Sequence, residues 1–322
     1  MVRSRAQAHD SMEEDAESGR EGWLRAAGLL AVVVFLSIVS PLVLVAVPFG
    51  VLLVFKSKGS LLSLAFAAVA GGAVAAGDSS SGFWLVERGW ALLLGGCFLA
   101  LTFRWPGGGF LPRGLGAVSV SALGAGMLFW VRPGDWAVVE WMVNSRLEFT
   151  VNMLLQSVAD GLAPEPVPEW FEAQAMWTLA FQGMVFPAFL GLASLSALGF
   201  AWWLFKRVSR SPDPGIGPLK DFRFNDQMVW VLIFGMTALL LSSGVVERVG
   251  VNAVVFMGAL YALRGAGVVL FKTGGVSLFG GVLFLAGFLL LAPFMVLGAM
   301  FIGLGDTWFD LRSRGPILRS GA

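Results

Sequence analysis

A charged side chain inside an apolar segment is costly in lipid, so each one is a functional candidate by default. The clearest is Arg264, in the stretch Leu260-Tyr261-Ala262-Leu263-Arg264-Gly265-Ala266-Gly267. It stands eight residues before Lys272, about 12 Å of helix. An arginine can snorkel over that distance. This one is aimed badly, because helical side chains lean toward the helix N-terminus, which here leads deeper into the bilayer. A buried acidic partner is therefore expected. Asp306, in Gly303-Leu304-Gly305-Asp306-Thr307-Trp308, stands six residues before Arg312, about 9 Å deep if the C-terminus is cytoplasmic. The depths match, and an Arg264–Asp306 ion pair is predicted, with Tyr261 as a hydrogen-bonding neighbour one turn away. Asn252 and Asp310 complete the candidate intramembrane cluster. Such a pair can be a structural clamp or serve transport, and the clamp is the plainer reading.

A second set lies in residues 136–160. Glu140, Asn144, Glu148, Asn152 and Gln156 recur every fourth residue, a polar stripe with Trp141, Leu147, Met153 and Leu154 elsewhere on the helix. Glu140, Arg146 and Glu148 would each cost about 2.5–3.5 kcal/mol in mid-membrane. The segment is expected to lie in the interface or cap the bundle as an amphipathic helix on the outer face. The stripe is a solvated face or lines a binding site.

Catalytic chemistry finds little to work with. The single histidine, His9, falls in a polar tail, and the single cysteine, Cys97, in an apolar run where it packs as a small residue. Neither an internal disulfide nor a Cys/His metal site can be built from them. A histidine-activated nucleophile has no base in the apolar region. Gly107-Gly108-Gly109 follows an apolar run rather than a strand and lacks the lysine and hydroxyl of a phosphate-binding loop. No enzyme activity and no cofactor are expected.

The elements that must position these residues are read from composition. Of 322 residues, 57% are hydrophobic and 13% charged, half the charge of a soluble domain, and the mean hydropathy is +0.79. The fold class is all-α, a polytopic transmembrane bundle of about eight to ten spans. The net charge of +1 excludes a nucleic-acid partner. Residues 1–22 mix arginines with acidic residues and lack the apolar core of a signal peptide, so they are expected to be a retained, disordered cytoplasmic tail.

One transmembrane domain is expected over 23–312, followed by a tail at 313–322. Spans are expected at 23–39 and 42–55, split at Ser40-Pro41, then at 60–76, 84–103 and 111–131. Pro164 to Pro168 forms an extended linker. A long span at 170–205 carries Pro187 as a kink, with Trp202 and Trp203 as interface anchors. After a cytoplasmic loop at 206–225 come spans at 227–243 and 250–271. The last apolar run, 276–304, is interrupted at Ala292-Pro293 and is one tilted helix or two short ones. Glycine pairs such as Gly71-Gly72, Gly95-Gly96 and Gly280-Gly281 fit close helix packing in lipid.

Lysines and arginines accumulate in cytoplasmic loops. With the N-terminus inside, they fall overwhelmingly on one side, and Arg312, Arg314 and Arg319 favour a cytoplasmic C-terminus and ten spans. A multi-pass protein of the bacterial inner membrane is expected.

From Asp221 onward the sequence resembles the YybS-like family of uncharacterised bacterial membrane proteins. Three stretches carry the likeness: Phe222 to Trp230, Asn252 through Leu260 to Ala266, and Gly303 to Arg312. The family's proline near Asn225 is missing here, and Arg264 stands where the family commonly has glutamine. The family architecture has been likened to the substrate-capture subunits of energy-coupling-factor vitamin transporters, so the resemblance implies a transport-related subunit, though fold does not dictate function.

Two readings follow. One is a substrate-binding or transport-related subunit with a small-molecule site between late spans, covered by the 136–160 helix and served by a membrane protein partner or ATPase module. The other is a membrane scaffold or partner-binding protein without ligand. The lipid bilayer is a partner in both.

Overall fold

The computed structural model describes residues 28, 32–33, 41–50, 82–162, 168–209, 215–275 and 278–313. The tail at 1–22, the span at 60–76, nearly all of the span at 23–39, the linker from Pro164 except Pro168, and the C-terminal tail from 314 lie outside them. All the regular elements among the described residues are helical. Seven α-helices follow in order: α1 (Gly82–Arg104), α2 (Phe110–Val131), α3 (Pro133–Leu162), α4 (Glu169–Val208), α5 (Val229–Leu241), α6 (Val245–Thr273) and α7 (Leu278–Phe309). Short 3-10 turns form at Pro41–Ala46, Leu219–Asp221 and Asp226–Met228. Among the described residues, five helical segments are long and apolar enough to cross a membrane: Val86–Arg104, Phe110–Val131, Glu169–Val208, Val245–Thr273 and Gly287–Phe309. The protein is an all-α polytopic membrane bundle.

Several boundaries differ from expectation for identifiable reasons. The 136–160 helix extends over Pro133–Leu162, with Pro133 at its first position, where a missing N–H is harmless. Helix α4 continues to Val208, so the loop expected from 206 starts later. Helix α5 has 13 residues, about 20 Å, and falls short of a hydrocarbon core of about 30 Å. The last run is one helical stretch broken at Leu291 (φ −129°, ψ 26°) ahead of Pro293, where the ring removes a ladder donor and crowds the preceding turn. Its first part, before the break, is too short to span on its own.

The chain divides into two compact units, residues 1–136 with 193–216 and residues 137–192 with 217–322. In the first unit the 3-10 turn at Pro41–Ala46 packs on α1. A Cβ on Gly95 would lie 3.0 Å from Pro48 Cγ and 3.1 Å from Val45 O, so only glycine permits this approach without displacement. The core is aromatic: Phe98 sits 5.6 Å from both Phe49 and Trp202 and 5.7 Å from Phe110, centroid to centroid. Lipid is as apolar as these rings, so burial from it gains little. Edge-to-face pairing, about 0.5–1.5 kcal/mol each, gives the cluster its specificity. Trp202, expected as an interface anchor, is 7% exposed and belongs to this core, whereas Trp203 faces outward.

In the second unit α6 is the axis. Leu232, Gly235 and Ala238 of α5 face it, and a Cβ on Gly250 would stand 2.7 Å from Gly235 O. On the α7 side, a Cβ on Gly265 would overlap Ala299 O, and one on Gly303 would overlap Tyr261 O. The helices therefore meet backbone to backbone along both seams, as small residues allow in lipid. Helix α6 ends on Gly274, at φ +71°, whose N–H donates to Leu270 O, a left-handed cap that glycine enters without penalty.

Candidate functional site

Arg264 projects from α6 at 2% exposure toward α7 and the loop preceding α5. Its Nε donates to Asp306 Oδ2 at 2.9 Å, so the predicted ion pair is present. Its Nη1 donates to Asp226 Oδ1 at 2.6 Å, a partner that sequence reasoning missed. The Phe224 ring lies 5.4 Å from the guanidinium and also meets Tyr261 edge-on at 5.0 Å.

Arg312 completes the arrangement just past α7. Its Nη1 donates to Lys220 O, its Nη2 to Phe222 O and Arg264 O, and its Nε stands 3.9 Å from Asp306 Oδ2. Burial pulls the Arg312 pKa below its usual value, with Asp306 opposing the shift. Two arginines and two aspartates thus sum to no net charge. They fasten the 219–226 loop across α6 and α7, and Leu219 O rests on Gly267, where a Cβ would stand 2.5 Å away.

Gly244, at φ +68°, makes the turn between α5 and α6. Arg264 comes 20 residues later, about 30 Å along the helix, which is one hydrocarbon thickness. Asp226, at the start of the short α5 side, is 61% exposed. The 219–226 loop and α7 cover Arg264, which is 2% exposed.

The five residues expected as one cluster occupy three places. Tyr261 is fully buried beside Arg264, but its hydroxyl is not hydrogen-bonded to it. That oxygen, Asp306 Oδ1 and Thr307 Oγ1 are buried without a hydrogen-bond partner among the described residues. Asp310 does not join Arg264. It follows α7 at φ +38°, is 56% exposed and pairs with Arg223 at 2.6 Å. Together with Asp221, Phe271, Arg312 and Ser313 this pair lines an open cavity of about 360 Å³.

Asn252 lies twelve residues before Arg264, about 18 Å away along α6, at a separate site. There Pro187 interrupts α4, leaving Gly183 O without its ladder donor. Arg248 Nη2 donates to Gly183 O at 3.2 Å. Asn252 Nδ2 donates to Met184 O at 2.9 Å, and Asn252 Oδ1 accepts from Ala188 N–H at 2.8 Å. Met184 O and Ala188 N–H are the pair that would bond each other in an unbroken helix. The two α6 side chains, one turn apart, splice the proline break.

The stripe on α3 divides at this splice. Arg248 Nη1 donates to Glu140 Oε1 at 2.6 Å, and the Asn144 side chain abuts Gly183, where a Cβ would come 2.8 Å from Oδ1. Glu148 and Asn152 are exposed. Val139 and Val143 are buried, while Trp141, Phe149 and Met153 remain more than 60% exposed. The role of Arg248 was missed by sequence reasoning. The signal was Pro187, because an orphaned carbonyl within a bundle demands a donor from a neighbour.

This geometry holds helices and a loop in place. Among the described residues no group of three His, Cys, Asp or Glu is placed to hold a metal. No curated protein and no solved structure matches the chain. A family profile described as a predicted membrane protein, DUF2232, matches residues 26–307, so the chain belongs to the DUF2232 family of predicted membrane proteins.

Proposed function

We propose that the protein is a partner-binding scaffold of the bacterial inner membrane, without catalytic activity and without a ligand between its late helices. One observation carries the reading: the seams α5–α6 and α6–α7, where a small-molecule site was expected, are filled by glycine-mediated backbone contact. The two candidate ligand-binding side chains on α6 are spent on the protein itself. Arg264 is matched by Asp226 and Asp306, and Asn252 by the α4 break. A buried pair of this kind adds little net stability over apolar side chains but punishes the loss of one partner. It therefore suits the fixing of one arrangement better than the exchange of a substrate.

A second reading keeps the transport-related role and the YybS-like resemblance. It is favoured by the cavity at the α6–α7 end, whose two carboxylates and two guanidiniums suit a small charged molecule or the coupling surface of an ATPase module. Gentle purification from the native membrane, with analysis of bound proteins and metabolites, separates the two. The scaffold reading expects stoichiometric envelope protein and no metabolite. A co-purifying ATPase or a retained small molecule would replace it with the transport reading.

A further inference from the structure

The turn between α1 and α2 lies in a part of the sequence that is rich in cations and poor in acidic residues. The sequence holds no Asp or Glu between Glu87 and Asp135, and none between Glu172 and Asp213. Arg104, Arg113, Lys206 and Arg207 all lie in those two stretches. Trp202 stands beside two of them: Lys206 Nζ is 4.9 Å and the Arg113 guanidinium 5.9 Å from its ring.

Arg113 lies in the first turn of α2 and leans back over the helix start. It is 5% exposed. Nη2 donates to Pro106 O at 2.8 Å, and Nε is buried without a hydrogen-bond partner among the described residues. A Cβ on Gly108 would come 3.3 Å from Nε and 3.7 Å from Nη2, so the guanidinium faces the glycine loop itself. Gly109, the residue before α2, supplies no side-chain cap, which leaves first-turn N–H groups to an outside acceptor. An uncapped helix start beneath a guanidinium with an unused donor is an anion site by its chemistry. The rim adds Arg104, 5.9 Å from the Trp105 ring, and two apolar faces, Trp105 at 56% and Phe103 at 68% exposure.

We propose that this turn binds the phosphate of an anionic phospholipid headgroup. Arg113 and the α2 N–H groups hold the phosphate, Arg104 adds charge, and Phe103 and Trp105 lie against the glycerol and acyl chains. A free phosphate ion would satisfy the same donors but would leave the two exposed aromatics unused.

The test titrates delipidated full-length protein in detergent with short-chain phosphatidylglycerol, phosphatidylcholine or inorganic phosphate, read by thermal shift and by native mass spectrometry. Phosphatidylglycerol is expected to bind and stabilise, with phosphatidylcholine and inorganic phosphate giving neither effect. Arg104→Gln, at an exposed position, should fold normally and weaken phosphatidylglycerol binding about fivefold. Arg113→Lys keeps the charge and loses the planar fork, and should weaken it further. Undiminished binding in Arg104→Gln and Arg113→Lys overturns the site. Binding of phosphatidylcholine as strong as that of phosphatidylglycerol overturns the headgroup assignment, and saturation by inorganic phosphate alone overturns the lipid source.

Discussion

Helix α6 carries an arginine near each end, and the two do different work. Arg264 is sealed at 2% exposure between two aspartates and lies under a loop. Arg248, with about a third of its side chain exposed, binds Glu140 and a backbone carbonyl. The first joins separate segments through charge; the second mends a helix that proline has broken. Removal of Arg264 strands buried carboxylate, while removal of Arg248 leaves groups that water or lipid-headgroup contacts can still reach. The same residue type thus carries very different energetic weight, set by what remains when it is gone.

The largest expected effect is at the sealed end. Arg264→Ala or Asp306→Ala should each destabilise by about 3–5 kcal/mol, measured by reversible unfolding in mixed micelles, whereas the joint change Arg264→Met with Asp306→Leu should recover most of the loss. A simple charge swap should fail to rescue, because Asp226 would then face an introduced aspartate and Arg312 an introduced arginine. Rescue by the swap would show that Asp226 and Arg312 are bystanders.

Gly303→Ala should cost about 1–3 kcal/mol as the α6 and α7 backbones are forced apart. The same assay reads it, and a neutral result would mean that the seam is looser than the structure has it. At the splice, Asn252→Ala should cost about 0.6 kcal/mol, in the range of interhelical hydrogen bonds. The loss should shrink when Pro187→Ala has already restored the ladder of α4. Additive losses in that cycle would separate Asn252 from the proline. Smallest is Arg223→Ala at the exposed pair with Asp310, between 0 and about 1 kcal/mol and vanishing in high salt. A larger value would mark the cavity at that end as something other than a solvated rim.

Much of this was open to reading from residue order. Hydropathy located helices in the described region to within a few residues at most ends, because a long apolar stretch has few alternatives to a helix in lipid. The Arg264–Asp306 pair followed from the expense of an intramembrane charge combined with equal depth. The helix expected at 136–160 was recognisable because polar residues from Glu140 to Gln156 recur every fourth position, and it forms over Pro133–Leu162. Each inference used a local cost that the environment imposes on a residue wherever its neighbours lie.

Tertiary structure alone decided who met whom. Asp226 and Arg312 became partners of Arg264 only once the 219–226 loop folded over α6. Asn252 joined the α4 break rather than the cluster twelve residues along its own helix. Asp310 turned outward to pair with Arg223, although Asp306, four residues earlier, is buried. Apolar periodicity and charge cost act along one segment and are written in its order; side-chain partnership depends on which segments lie adjacent, and the packing of glycine against backbone determines that.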